Sequence, residues 1–456
     1  MTHYLRLGLI PFYLVLCLIF GGASLAGYWA NMGLQLVAIP IIVWSLVVRR
    51  SNPMPKPARQ LLAILVMLLL LGLLQLIPLP PSLWTALPGR APVAEGFRLI
   101  GQPLPWLPLS LAPYEGVASL LWLLPPIAVL LGIFQLGGFK SPWLAWSLAG
   151  VTAASVLIGA LQLVGGTDSP WYFYEVTNYG STTGFFSNAN HLATLLIATI
   201  PFLAALYVRA RSQGRSIQKS SALFVVLAGA LVVIFVGLVT NSSLAGLGLS
   251  VPVTAASLMM ILPPSRKLRI VGLVLIAGLT VASIGAVFTA PFQNNLTTTA
   301  AQHSQVSRYT SFTRSIAATK DYLPFGSGIG SFVQIYQERE DPASVATVFM
   351  NHVHGDYIEV ALETGIPGLL LVLLFFAWWL RRTIAIWNAE EVDYFAMAAT
   401  IASAAILAHS AVDYPLRTVA IAALFAMCCG LMAEPRARVR NKKVETKDAA
   451  RHLSAD

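Results

Sequence analysis

Long apolar runs, separated by short polar or Pro-rich stretches, dominate the pattern along the chain, from about residue 7 to about residue 433. Most are close to the ~20 residues a helix needs to cross the hydrocarbon core of a bilayer. Twelve can be counted, over roughly 7–25, 32–48, 60–78, 115–136, 142–164, 190–208, 221–240, 243–262, 269–290, 357–380, 394–412 and 415–433. Only a tight turn near Asn241 separates the seventh from the eighth. The alternating segments of ~10 residues that build a membrane β-barrel are not the pattern here. The expectation is an all-α, polytopic transmembrane bundle of about 12 helices spanning residues 1–433.

Three connecting segments on one side of this bundle are long: about 79–114, 165–189 and 291–356. The first is rich in Pro and Trp and is expected to lie along the membrane surface. The last is predicted to be a long, partly helical loop, because it holds helix-compatible stretches such as SRYTSFTRSIAATKDY. Loops of that length are usually functional. Residues 434–456 read as a basic, disordered cytoplasmic tail.

Of the 456 residues, 57% are hydrophobic and 11% charged. Soluble proteins average about a quarter charged residues, so a water-soluble enzyme, a disordered chain and a coiled coil are excluded. The net charge of +10 could suggest nucleic acid, but its distribution explains it better. With both termini cytoplasmic, 22 of the 29 Lys and Arg residues fall on the inner side. The outer side keeps Arg90, Arg98, Arg308, Arg314, Lys320, Arg339 and Arg417. This is the positive-inside bias, and it turns the long loops toward the periplasm. Arg6, the apolar run and GGASLAG have the form of a cleavable signal; retention is expected, and cleavage would leave the remaining orientation unchanged. Cys17, Cys428 and Cys429 lie inside apolar runs and read as small buried hydrophobes.

Three polar clusters stand at the outer ends of helices. They are Thr183 to His191, Asn351 to Glu359, and His409 to Arg417. Asp356 and Glu359 have the spacing of a capping pair that starts a helix near Tyr357. His354 then precedes a positive helix N-terminus, which disfavours its imidazolium form and suits a general base. Glu359 and Glu363 lie one turn apart on one face. Asn190, Asn241 and Asp356 are expected to cap three helices whose N-termini point outward. With Arg308, Arg314, Arg339 and Arg417, those ends make a potential anion site, since Arg binds phosphate through a two-pronged fork. A metal site has little support. His352 and His354 could chelate, but few carboxylates are gathered for it, and no Asp-x-Asp occurs. The Gly326–Gly330 run lacks a strand–helix context or a following Lys and reads as a flexible turn that lets a ligand approach.

The three clusters and the glycine run resemble the O-antigen ligase and polymerase family of bacterial envelope proteins. TGFFSNANHLA (183–193) is similar to the family's TG-x-F-x-N-x-NH-x-A segment. DYLPFGSGIGSF (321–332) resembles P-x-x-G-x-G-x-G-x-F. HGDYIEVALETGIPG (354–368) resembles HN-x-Y followed by Glu-x-Gly-x-x-Gly, with His354, Glu363, Gly365 and Gly368 in register. HSAVDYPL (409–416) resembles HS-x-x-D-F-P. The likeness spans about 180–435. It departs at Gly355, where Asn is frequent, and at Ser243, which stands where many members carry an Arg expected to bind diphosphate.

The resemblance implies a metal-independent, inverting glycosyltransferase of the bacterial inner membrane, with its active site facing the periplasm and no cofactor. The donor would be a glycan on undecaprenyl diphosphate. The acceptor would be lipid A-core sugar, another repeat unit, or a protein. An O-antigen ligase is the first reading and a polymerase of the same family the second. His354 is expected to be the base. Arg308 and Arg314 are expected to bind the diphosphate, and Asn190 and His191 to position the donor. His352, Asp356, Tyr357, Glu363, His409 and Asp413 are expected to support the site. A transporter would also suit the helix count, but transporters carry ionisable groups near the bilayer midplane. Here the helix centres are almost free of them.

Overall fold

The computed structural model describes residues 2–24, 29–48, 53–212, 217–262, 266–289, 308–342, 345 and 350–434. The expected basic tail beyond Glu434 lies outside the described residues, as does part of the expected cleavage site. Helices occur at each of the twelve apolar runs. They are α1 (Thr2–Phe20), α2 (Trp29–Val47), α3 (Lys56–Gln75), the pair α6 (Pro113–Leu121) and α7 (Leu124–Leu131), α8 (Ser141–Gly165), α9 (Ala189–Ser212), α10 (Ile217–Asn241), α11 (Leu244–Ile261), α12 (Arg266–Thr289), α15 (Asp356–Trp387), α16 (Tyr394–His409) and α17 (Val419–Ala433). Among the described residues nine helices are long and apolar enough to cross a membrane. The pair α6–α7, continued by a π-turn to Leu136, counts as one of them, and α1, α16 and α17 are apolar but shorter.

The connecting segments have their own structure. Between α3 and α6, two short strands, β1 (Pro78–Leu79) and β2 (Leu107–Pro108), pair antiparallel around α4 (Pro81–Trp84) and α5 (Ala91–Leu99). Before α15 come α13 (Arg308–Tyr322) and α14 (Phe332–Gln337), so the described part of the 291–356 segment is partly helical.

Burial sorts the helices. Nearly every side chain of α9 is buried, and it packs against α8, α10, α11 and α16. Helix α17 is equally enclosed by α1, α7 and α16. Close approach is bought by small residues: a Cβ on Gly246 would come within 2.5 Å of Ala193 Cβ, so α11 lies directly on α9. The outer helices show the opposite. Val43 and Leu46 on α2, Leu70 and Leu73 on α3, Val225 and Val232 on α10, and Val274 and Val281 on α12 are all exposed. Large apolar side chains facing outward around the whole belt are what a hydrocarbon surround requires.

Helix α15 is broken at Gly365, whose φ of 59° is outside the helical region. The break is an interlock. The Ile366 amide donates to Pro324 O (2.8 Å), Ser327 N to Leu362 O (2.8 Å) and Gly328 N to Glu363 O (2.9 Å). Added Cβ atoms at Gly326 and Gly365 would lie 2.5 Å from Glu363 O and 2.2 Å from Pro324 O. The glycine run expected to admit a ligand therefore admits backbone: it clasps the α15 kink. Gln75 at the end of α3 completes the clasp, donating to Glu363 O (3.2 Å) and accepting from Ile329 N (3.0 Å).

Candidate functional site

Three segments meet at one end of the bundle: the approach to α15, the turn between α16 and α17, and the entry into α9. The first free amide of α15, that of Asp356, donates to Ser410 O (2.9 Å) and Asp413 O (3.3 Å). A helix N-terminus needs such partners, and here the neighbouring turn supplies them. Gly355 takes the N-cap position with no side-chain cap. The expected capping pair is thus corrected, because both of its carboxylates are engaged elsewhere.

The Tyr414 ring is the hub. The rings of His352, His354 and His191 lie around it at 4.7, 4.8 and 4.9 Å between centroids. Its hydroxyl donates to Asn351 Oδ1 (3.3 Å) and accepts from Asn188 Nδ2 (3.5 Å). Burial raises the phenol's pKa, and the neighbouring Asp413 carboxylate adds to that, so Tyr414 stays neutral.

His354 Nδ1 lies 3.3 Å from Asp413 Oδ1, which also accepts the Tyr414 amide at 3.0 Å. Burial alone would raise the Asp413 pKa. The His354 contact and the imidazoles of His191 and His409 outweigh burial and hold it well below the ordinary carboxylate range. A permanent carboxylate at Nδ1 selects the tautomer protonated there and leaves Nε2 as the basic nitrogen. His354 also has a left-handed φ of 63°. For a residue other than glycine this costs of order 1–3 kcal/mol, and it persists only where the surroundings dictate it.

His352, two residues earlier, has the opposite character. Its Nδ1 faces Glu359 Oε1 (2.8 Å) and its Nε2 faces Ser24 O (3.2 Å). Both partners are acceptors, a geometry that favours a proton on each ring nitrogen. Burial opposes that charge, but Glu359 outweighs it and the pKa is raised. Arg417 sits among three carboxylates, with Nε 3.6 Å from Asp356, Nη1 3.3 Å from Glu359 and Nη2 3.5 Å from Glu363. The carboxylates overcome the burial of the guanidinium and raise its pKa. Glu359 also accepts the Val353 amide, and Glu363 the Gly330 amide, both at 2.9 Å.

The other expected caps are also corrected. Asn188 caps α9 through the Asn190 amide (2.8 Å). Ser243 caps α11, accepting from Gly246 N (3.1 Å) and donating to Asn190 Oδ1 (2.7 Å). Asn241 ends α10 and donates to Thr182 O (2.7 Å) and Ala189 O (2.8 Å). Asn190 and His191 were expected at the donor; they are 4% and 0% exposed and lie behind Tyr414. His409 is also fully buried, with Nδ1 2.9 Å from Thr194 Oγ1. The Thr194 hydroxyl donates to Asn190 O (2.9 Å), so it accepts from His409. Tyr357 donates to Leu407 O (2.7 Å), a framework contact. Arg339 pairs with Asp321 at 2.8 Å. Arg314 is half-buried on α13 with no hydrogen bond at Nη1. Arg308 opens the same helix, but its side chain lies outside the described residues.

A cavity of about 680 Å³ runs from this cluster into the bundle. Ser24, Asn351, His352, Asp356, Glu359, Glu363 and Arg417 line its polar end. Its walls are Leu61, Leu65 and Leu68 of α3, Leu123, Ile127 and Leu130 near and on α7, and Phe425 of α17. The shape and chemistry fit an amphiphile, with a polar head at the cluster and a chain among the helices.

Tyr414, Arg417 as a hub, Asn351, Ser24 and Gln75 were not singled out from sequence. For Arg417 a signal existed. Carboxylates at 356, 359 and 363 share one face of an otherwise apolar helix, and such a stripe needs a cation.

No curated protein matches the chain. Residues 228–373, from within α10 to within α15, match the family model described as O-Antigen ligase. That stretch carries His352, His354, Asp356, Glu359 and Glu363, and the match supports the resemblance to the O-antigen ligase/polymerase family.

Proposed function

We propose that this chain is a glycosyltransferase of the bacterial inner membrane, with the His354 site facing the periplasm, both termini cytoplasmic and twelve crossings. It moves a glycan from undecaprenyl diphosphate to an acceptor hydroxyl, as an O-antigen ligase does. The observation that carries this reading is the pairing of an amphiphile-shaped cavity with an Asp-oriented histidine. His352 lines the cavity, and His354, outside its lining, packs on the same Tyr414 ring.

In the proposed step, His354 Nε2 takes the proton from the acceptor hydroxyl. The freed oxygen attacks the anomeric carbon from the side opposite the diphosphate. A bond forms between that oxygen and carbon, and the carbon–diphosphate bond breaks with its electron pair going to phosphate. The configuration inverts, and no metal or cofactor is called on. Asp413 stabilises the imidazolium as it forms, and Arg308 and Arg314 of α13 contribute positive charge against the leaving group. Asn190, His191 and His409 support the turn that carries Asp413, and Asp356, Glu363 and Tyr357 hold the start of α15.

The test is transfer of glycan by cells whose only copy carries His354→Ala, with membrane level and detergent monodispersity checked. Transfer should be lost while the protein accumulates normally. Normal transfer in a well-folded variant would remove His354 from the mechanism. Long chains building up on the lipid carrier indicate a ligase; single repeat units indicate a polymerase of the same family.

A further inference from the structure

The polar end of the cavity is layered. The side chains of Asp356, Glu359 and Glu363 are only 7, 1 and 4% exposed, whereas Arg417 and His352 stand forward at 22 and 17%. A group arriving along the apolar walls meets a guanidinium and an imidazolium first, with the acids behind them. The carboxylates lie at 3.3–3.6 Å from Arg417, long for ion-pair hydrogen bonds, so its five N–H groups are not used up. They hold the guanidinium in place before a ligand arrives, which lowers the entropy lost on binding. His352 is pinned between Glu359 and Ser24 and adds charge at a fixed position. Glu115, on α6, also lines the wall but is solvent-exposed and screened. Arg314 does not line the cavity.

From this layering we infer that Arg417 and His352 form the anion cradle that receives the phosphates of the lipid-linked donor. The lipid chain lies against Leu65, Leu68, Ile127 and Phe425. The inference rests on the donor class proposed above and adds to the α13 charge a phosphate contact at the cavity mouth, which Arg314 does not line.

The experiment measures binding of undecaprenyl diphosphate and of undecaprenol to full-length protein in nanodiscs, for wild type, Arg417→Lys, Arg417→Gln and His352→Gln. Arg417→Gln should weaken undecaprenyl diphosphate roughly tenfold or more, the scale of a lost charge-assisted hydrogen-bond pair. Arg417→Lys should recover part of that loss, and His352→Gln should lose several-fold. Undecaprenol binding should not change in any variant. That separation distinguishes phosphate recognition from loss of packing. If Arg417 variants fail to fold, His352→Gln decides alone. Equal binding of undecaprenyl diphosphate by wild type and folded variants overturns the cradle and leaves the donor class standing. A folded wild type that binds undecaprenyl diphosphate no better than undecaprenol overturns both.

Discussion

Replacing Asp413 by Asn is the sharpest probe of the proposed chemistry, because it removes one charge and keeps the shape. The carboxylate lies 3.3 Å from His354 Nδ1 and is fully buried. At an effective dielectric of about 20, opposite unit charges at that separation attract by about 5 kcal/mol. That full value applies only once His354 has taken a proton; the neutral ring keeps a hydrogen bond to either Asp or Asn. If roughly half the attraction is specific to the protonated ring, the transition state loses about 2–3 kcal/mol, a fall of roughly 30- to 150-fold in rate. General-base effects as a whole span about 10²–10⁴, so the estimate sits at the lower edge of that range. The assay is single-turnover transfer from a lipid-diphosphate-linked glycan to acceptor in nanodiscs, with donor binding measured separately. Donor affinity should hold while the transfer rate falls. A folded Asp413→Asn protein that transfers at more than half the wild-type rate would refute the pairing of Asp413 with the base.

Two further outcomes concern the framework. Gly365→Ala puts a Cβ 2.2 Å from Pro324 O at a φ of 59°, so it should lower the thermal unfolding midpoint, by about 1–3 kcal/mol or more of stability, and loosen the Gly326–Gly330 clasp. An unchanged midpoint would show that the α15 break is not held by this interlock. His352 has a folded pKa raised above its ordinary value. Its contribution is fully present below about 6.5, the unfolded value, and is lost as pH rises through the raised one. Wild type should therefore lose stability relative to His352→Gln over that interval above about 6.5, in unfolding curves taken across pH; parallel curves would contradict the imidazolium assignment.

The helices were legible in the sequence because crossing a bilayer is a local demand. A run of ~20 apolar residues satisfies its backbone within itself, so each run could be read without knowing its neighbours. The break at Gly365 and the caps were less legible. Asn188 and Ser243 cap their helices while Asn190 and Asn241 do not, because a side chain that could cap is drawn away when a tertiary partner competes for it. The candidate chemistry was legible as residue types: His354, His352 and Asp413 all stood in the polar clusters.

Their division of labour came only from packing. Two histidines two residues apart look alike in sequence. One meets Asp413 across the α16–α17 turn, and the other meets Glu359 and the distant carbonyl of Ser24. The first geometry sets one ring nitrogen against a carboxylate, and the second sets an acceptor at each ring nitrogen. Arg417 read as one outer cation among seven until three acids of α15 were found around it. Hydrophobicity acts over a turn or a span, so the sequence by itself determined the elements, though not their exact ends. Protonation, ion pairing and the amphiphile-shaped cavity depend on which helix ends meet, and the tertiary structure alone decided that.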